Sequence, residues 1–595
     1  MQISSVRSLG DLREPVRTHR IRLAGLVLGG AMVALHVAAF PAASSAAYPP
    51  SAQGRTAAAT SDHSDATRAA LDVMAAGGNA ADGAVAAALV LGVVNPSASG
   101  MGGGGFALVF NASDAKVTVL DLRETAPASF SSEVLWPAKK ATDPKPLDRF
   151  GWNGPRGGSA GVPGEPSGLE LLARRFGKRS LAADAAPAVS LAQNGFYLSR
   201  HTAEVAAMFK ERLATVPSLA SAFLPAGAPA PFASRIRRPE LAATLERFGA
   251  EGKRAIYEGP TAQKIVDAVT RTGGTMTLAD LGGYAVQERK PLSRTIDGRT
   301  VYTMPAPSAG GLMLLETLSM YGASRSSPLV PMGFGSSAYL HTVAEAMRGA
   351  FADRARLAGD PDLEPAVDAA FQGALEPAQI AARRARIEAT KTHAPIEFKT
   401  KENGTSHLVV ADALGNVVTL TTTVNGPFGS SVVAGDTGLL LNNELDDFTS
   451  SDDAASFGLK GGGPNRPRAR ARPVASMTPT LVIEGGRPIL ALGGSGGTRI
   501  ATGTTQAALA RLLFDLDPNA CVAHPRIHTQ GATLLVDPEI AGDVRSGLAA
   551  RGESVKDEPF MGSAIQMIAW DRTPNAPVKI LAAADPRKGG MAGAR

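Results

Sequence analysis

Asn403-Gly404-Thr405-Ser406-His407-Leu408-Val409-Val410-Ala411, continued by Asp412-Ala413-Leu414-Gly415-Asn416 and by Val417-Val418-Thr419-Leu420-Thr421-Thr422-Thr423-Val424-Asn425, is the stretch on which the fold turns. A hydroxyl residue follows a glycine and opens a β-rich run, Ser406 to Asp412. The segment 412–416 supplies a turn, and the β-branched residues from Val417 to Asn425 return as a second strand. A threonine at the head of a strand is common and carries no chemistry by itself. Its meaning depends on what the rest of the chain sets beside it.

Working outward, Ala66, Ala69, Leu71 and Val73 have helical spacing within 65–74, and Gly77-Gly78 breaks it. Residues 79–94 are nearly continuous Ala, Val and Leu, which predicts a helix apolar on most sides and therefore buried. Asn95-Pro96 stops it. Strands are predicted at 106–110 and 116–122, then a mostly helical middle at 168–176, 181–194, 239–248, 260–272, 277–281, 311–321, 336–358 and 376–389. A hairpin-like pair spans 284–303, with Asp297-Gly298 at its turn. The texture changes near Lys399, after which strands also fit 477–483 and 488–492. Helices around a core of antiparallel strands predict a layered α+β architecture, with no repeat of solenoid period.

The chain has 595 residues, 44% hydrophobic and 19% charged, which excludes a mainly disordered, collagenous or polytopic membrane protein. That length suits two to four domains or one large multilayer domain. Of the net charge of +6, half lies in residues 1–47, where Arg7, Arg13, Arg17, Arg20 and Arg22 face Asp11 and Glu14. The remaining charge is too small to argue for a nucleic-acid partner. Cys521 is the single cysteine, so a disulfide within the chain and a cysteine-rich zinc site are excluded; it reads as a small core residue.

After those arginines comes an apolar run, Leu23 to Phe40, interrupted only by glycines and His36, and then small residues from Pro41 to Ala47. Residues 1–47 read as a secretory signal, or, at about 18 apolar residues, as an uncleaved anchor. Either way the body is expected to be periplasmic or secreted.

Gly102–Gly105 precedes a strand and is followed by no Gly-Lys-Ser/Thr, so it is neither a phosphate loop nor a dinucleotide fingerprint. Gly493-Gly494-Ser495-Gly496-Gly497-Thr498 reads as a tight turn whose amides can approach a ligand. Nine histidines form no His-Glu-x-x-His, and Pro525 disfavours a helix carrying His524 and His528, so no metal site is expected. No Gly-x-Ser-x-Gly elbow occurs. Arg466, Arg468, Arg470 and Arg472 alternate along a Pro/Gly-rich stretch. They read as a solvated loop, or as an electropositive rim that attracts carboxylates.

Several ordered segments give Thr405 its context. They include Gly77-Gly78-Asn79-Ala80-Ala81-Asp82, Asp121-Leu122-Arg123-Glu124-Thr125-Ala126-Pro127, Ala160-Gly161-Val162-Pro163-Gly164 and Met304-Pro305-Ala306-Pro307-Ser308-Ala309-Gly310-Gly311. Further on are Glu345-Ala346-Met347-Arg348, Ala352-Asp353-Arg354, Leu441-Asn442-Asn443-Glu444-Leu445-Asp446-Asp447-Phe448 and Asp585-Pro586-Arg587. With these, the chain from about residue 60 to Arg587 resembles the gamma-glutamyltranspeptidases, which are N-terminal-nucleophile hydrolases.

The resemblance implies a four-layer αββα sandwich and a self-cleaved precursor without a cofactor. Cleavage between Gly404 and Thr405 would give a large subunit, 48–404, and a small one, 405–595. Thr405 would be the nucleophile, and its freed α-amine, of pKa roughly 8, its general base. Thr423 matches the threonine that hydrogen-bonds the nucleophile, and Gly496 and Gly497 the oxyanion-hole glycines. Arg123 and Ser476 match the holders of a substrate α-carboxylate; Asn425, Glu444 and Asp447 match those of the α-amino group. Glutathione or other gamma-glutamyl compounds would be donors, and water, amino acids or peptides acceptors. Where the family usually has two serines before a methionine, this chain has Ala475-Ser476-Met477, so one hydrogen bond to the α-carboxylate is absent. Phe457 falls at the aromatic position of the family's lid loop and lacks a tyrosine hydroxyl. A relative with other acyl specificity, such as a cephalosporin acylase or a poly-gamma-glutamate depolymerase, is the alternative within the family. An exported binding protein on a catalytically dead scaffold is the alternative outside enzymes.

Overall fold

The computed structural model describes residues 51–135, 154–393, 404–449, 463–559, 561–572 and 576–595; the leader 1–47 and Phe457 lie outside the described residues. Strands β1 (Ala52–Gly54) and β2 (Ala58–Ser61) come first, then helices α1 (Ser64–Ala75) and α2 (Ala80–Val94), then β3 (Gly104–Asn111) and β4 (Lys116–Leu122). Helices α3 (Glu165–Phe176), α4 (Leu181–Asn194) and α5 (Pro239–Glu251) belong to a mostly helical middle. It leads to β5 (Gln287–Arg289), β6 (Leu292–Ile296), β7 (Arg299–Thr303), α6 (Gly310–Tyr321) and α7 (Ser337–Leu357). After Gly404 follow β8 (Ser406–Ala411), β9 (Val417–Thr423), β10 (Thr480–Glu484), β11 (Arg487–Ser495), α8 (Arg499–Phe514), β12 (Ala564–Asp571), β13 (Lys579–Ala584) and β14 (Met591–Ala594).

Two seven-stranded sheets result, with orders β14-β2-β8-β9-β3-β4-β5 and β1-β13-β12-β11-β10-β7-β6. Strands from before and after Gly404 meet in both: β8 lies between β2 and β9, and β9 borders β3. Side chains alternate along β8. Leu408 and Val410 pack under the helices of the first layer, while Val409 and Ala411 pack between the sheets with Leu481, Ala491 and Ile568. On the far side, α6, α7 and α8 cover Val301, Leu490, Leu492, Ile565 and Met567. The molecule is an αββα sandwich, and the two-residue period puts Thr405 on the inner face with 407, 409 and 411.

Helix α2 forms as its composition predicts. Asn79 accepts from the amides of Ala81 and Asp82 (2.9 and 3.2 Å), and Asp82 accepts from the Asn79 amide at 2.7 Å, a reciprocal cap. The stretch 284–303 divides between sheets: β5 pairs with β4, whereas β6 and β7 form a hairpin in the other sheet. Its turn residues Asp297 and Gly298 have φ of 52° and 79°, the left-handed pair a two-residue hairpin demands. Periodicity gives no prediction for α8, because Thr502, Thr504, Thr505 and Gln506 are among its buried residues. Cys521 is a buried free thiol. Among the described residues no helix is long and apolar enough to cross a membrane.

Candidate active site

Thr405 sits just before β8. The register pairs Ser406 with Thr422, so Thr405 comes opposite Thr423, and their hydroxyls lie 3.1 Å apart. The loop after α2 holds this strand end: the amides of Thr405 and Val424 both donate to the Ala98 carbonyl (3.2 and 3.0 Å). Asn95 donates to Ser406 Oγ at 3.1 Å, and Ser99 Oγ lies 3.1 Å from the same oxygen. Thr405 is buried, and its φ is 92°, a conformation that a β-branched residue rarely adopts and that stores strain at the Gly404–Thr405 junction. Gly404 is fixed by crowding: a Cβ there would collide with the Asn425 carbonyl oxygen.

The glycine turn lies between β11 and α8. Gly496 and Gly497 have φ of 119° and 59°, so their amides take directions that an L side chain would strain. They stand at the N-terminus of α8, where backbone N–H groups favour negative charge. Gly497 lines the same cavity as Thr405; Gly496 does not line it.

Arg123 follows β4 and is fully buried. Its Nε donates to the Pro473 carbonyl (3.0 Å) and its Nη2 to the Val474 carbonyl (2.7 Å). Nη2 also meets Asp447 at 2.6 Å, and Nη1 pairs with Glu444. Asn425 donates to Asp447 Oδ1 (3.0 Å) and to the Asn443 carbonyl (3.1 Å), while its own amide donates to Thr423 Oγ1 (2.8 Å). The family resemblance implies that the guanidinium holds one end of a ligand and the acids the other. Here they neutralise each other, because buried charges must be paired. Burial raises the pKa of Asp447, and Arg123 works against it. Ser476 Oγ and Glu444 Oε2, by contrast, are buried with no hydrogen-bond partner among the described residues.

One small cleft brings Arg123, Thr405, Thr423, Asn425, Glu444, Asp447, Ser476 and Gly497 together. It also takes in residues not singled out as site residues from the sequence alone, among them Arg354, Val474 and Ile500. Arg354 is buried on α7, and its charge, like that of Arg123, opposes the rise that burial imposes on Asp447. Its signal was present in Ala352-Asp353-Arg354, but nothing in the spacing said that α7 would reach the strand ends.

The structure corrects the solvated reading of the arginine stretch only in part, since Arg466 and Arg470 are exposed as expected. Arg472 is buried rather than solvated: its amide donates to Asp360 (2.7 Å) and its guanidinium to Asp362 (3.0 Å) and the Ala285 carbonyl (2.9 Å). Arg466 and Arg468 pair with Glu364 at 2.9 and 2.8 Å. These bonds tie down the strap whose carbonyls hold Arg123. The 304–311 motif anchors its other side: the Ala475 amide donates to Pro307 O (3.1 Å), and Ser308 Oγ to Met477 O (2.6 Å). His524 and His528 have separate partners, the Cys521 carbonyl and Thr502. His341, Glu345 and Glu553 cluster elsewhere, where Arg348 lies 2.5 Å from each carboxylate and His341 Nδ1 lies 2.7 Å from Glu553.

This cleft lies within the stretch that the family model for gamma-glutamyltranspeptidase matches, residues 66–594. The chain belongs to the gamma-glutamyltranspeptidase family. Glutathione hydrolase 2 of Arabidopsis thaliana is 33% identical over 550 residues, 87% of this chain and 90% of that one. The glutathione hydrolase proenzyme of Escherichia coli (strain K12) is 31% identical over 508 residues, 84% and 85% of the two chains. The crystal structure of cephalosporin acylase from Bacillus halodurans superposes with a TM-score of 0.79 at 25% identity, covering 94% of this chain and 98% of that one. Membership in the gamma-glutamyltranspeptidase family makes the chain an enzyme of the N-terminal-nucleophile hydrolase class, and its αββα sandwich is that fold.

Proposed function

We propose that this gamma-glutamyltranspeptidase relative is an exported, self-processing gamma-glutamyl hydrolase and transpeptidase that uses Thr405 as its nucleophile. The observation that carries the reading is the short contact between the Thr405 and Thr423 hydroxyls in the cleft that Arg123, Glu444, Asp447 and Ser476 also line. In the first step the Thr405 hydroxyl attacks the Gly404 carbonyl carbon and the peptide C–N bond breaks. This leaves an ester on Oγ and a free α-amine on Thr405. Water hydrolyses the ester, giving the Gly404 carboxylate and restoring the hydroxyl. The positive φ of Thr405 favours this step, since cleavage releases the constraint on that torsion.

In turnover the α-amine takes the hydroxyl proton as Oγ attacks the γ-carbonyl of a donor such as glutathione. Amides of the Gly496-Gly497 turn receive the oxyanion. The leaving amine departs with a proton, and water, an amino acid or a peptide then releases the glutamyl group from Thr405. A donor's α-carboxylate would engage Arg123 and Ser476, and its ammonium Asn425, Glu444 and Asp447, replacing the internal pairs now seen. Export rests on the composition of residues 1–47 and places the body in the periplasm or outside the cell. Thr405→Ala tests the reading: the expected variant is folded, uncut and without turnover of a gamma-glutamyl anilide, and an active variant would refute it.

Ala475 favours a second reading, in which the acyl preference has moved away from gamma-glutamyl groups. The long superposition on a cephalosporin acylase agrees with it. Comparing kcat/KM on gamma-glutamyl and glutaryl anilides separates the two, a glutaryl preference supporting the second.

A further inference from the structure

Lys588 has no part in the chemistry above, yet it is buried against both halves of it. It closes the single turn Pro586–Lys588 after β13, and it does not line the cleft. Its ammonium donates to Ser495 Oγ at 2.8 Å and reaches the Thr405 carbonyl oxygen at 3.4 Å. Ser495 is the last residue of β11, directly before Gly496-Gly497. One side chain therefore touches the backbone of Thr405 and the strand end that carries the glycine turn. Its nearest counter-charge is Asp62, also buried, which accepts from Gln566 Nε2 (2.7 Å) and from the His407 amide (3.3 Å); the buried Asp585 is a second. Burial disfavours the charged form of both Lys588 and Asp62, and their mutual attraction opposes it. A buried ammonium is costly, and simple packing would be met better by an apolar side chain.

We propose that Lys588 is a positioning residue for the reaction at Thr405: it fixes the nucleophile's strand against the glycine turn, and its charge favours the unprotonated α-amine that cleavage would expose. The inference rests on the reading of Thr405 as nucleophile. The charges on this side of Thr405 are Lys588 with the buried carboxylates Asp62 and Asp585, and Arg123, Glu444, Asp447 and Arg354 line the cleft. Removing the lysine takes away the cation that lies against the Thr405 backbone. Loss of a nearby positive charge raises the pKa of an α-ammonium, so the acid limb of kcat/KM moves to higher pH.

The test uses the full chain as Lys588→Met, Lys588→Arg and Ser495→Ala, with the cut fraction measured on denaturing gels and rates on a gamma-glutamyl anilide expressed per cut chain. Lys588→Met is expected to lose at least about tenfold in kcat with KM changed by less than about threefold, and its acid limb shifts upward. Lys588→Arg, which keeps the charge, restores the limb. Ser495→Ala, a milder change should Lys588→Met not fold, lowers kcat and leaves the limb in place. Wild-type kcat and an unmoved acid limb in Lys588→Met, or wild-type kcat in Ser495→Ala where Lys588→Met does not fold, overturn the proposal. Thr405→Ala is run beside them. Activity there refutes the nucleophile itself, whereas an inactive Thr405→Ala with an unaffected Lys588→Met confines the failure to the lysine.

Discussion

Thr423 shares its hydroxyl between two neighbours: Thr405 Oγ1 at 3.1 Å and the Asn425 amide at 2.8 Å. It thus couples the candidate nucleophile to the residue that also holds Asp447. Thr423→Val keeps the shape and removes the hydroxyl. The expected result is a folded variant whose kcat falls roughly 10- to 100-fold on a gamma-glutamyl anilide, one charge-neutral contact being worth about 1–3 kcal/mol at a buried site. Ala475 permits the opposite experiment. Ala475→Ser adds a hydroxyl on the strap beside Ser476, in a cleft where Ser476 Oγ has no protein partner among the described residues. A charged acceptor makes such a bond worth about 1.5–3 kcal/mol, so KM for gamma-glutamyl donors is expected to fall about tenfold or more with kcat little changed. Steady-state kinetics on one donor checks both.

Among the elements, β9 carries chemistry on one face and a buried acid on the other. Thr422, next to Thr423, donates its hydroxyl to Glu165 at the start of α3. Burial pushes the Glu165 carboxyl up to about 8, and burial does the same to Glu124, one residue past Arg123, also to about 8. Between the ordinary carboxylate value of 4.5 and about 8 the folded chain keeps protons that the unfolded chain has released. Stability from this source is full below 4.5 and is lost as pH rises towards 8. Melting temperature should therefore drop across that interval, and Glu165→Gln should flatten the drop; an unchanged slope in the variant would contradict the assignment.

Much of this element scale was legible in the sequence. The β8–β9 hairpin, the buried α2, the Asp297-Gly298 turn and most of the residues that converge on the cleft follow from local pattern or from family wording. Other features were not, for physical reasons. Helix α8 hides behind buried threonines and a glutamine. Arg472 looks solvated, like its exposed neighbours Arg466 and Arg470, until the distant Asp360 and Asp362 are placed beside it. Lys588 meets Thr405 across 183 residues of chain, a contact that no local pattern encodes. The mutual pairing of Arg123 with Glu444 and Asp447 likewise appears only when two segments more than 300 residues apart converge.

At the scale of the molecule, both sheets are woven from strands on either side of Gly404. Strand β8 is hydrogen-bonded to β2 from one side of the junction and to β9 from the other, and β14 closes on β2 near the end of the chain. With Cys521 the single cysteine, no disulfide within the chain can link two cut halves. Strand pairing and three continuous apolar layers must hold them instead. A cut protein is therefore expected to elute as one species under native conditions and to separate only when denatured. Size-exclusion chromatography followed by a denaturing gel of the same fraction checks this.

The central claim is that the chain cuts itself before Thr405 and then works with that residue. Intact-mass spectrometry of the purified full-length protein, beside its Thr405→Ala variant, tests it most directly. The account predicts two chains in the wild type, the smaller beginning at Thr405 and ending at Arg595, and one uncut chain in the variant. A wild-type chain that stays whole while active, a cut at another bond, or a Thr405→Ala variant cut at the same place would contradict it.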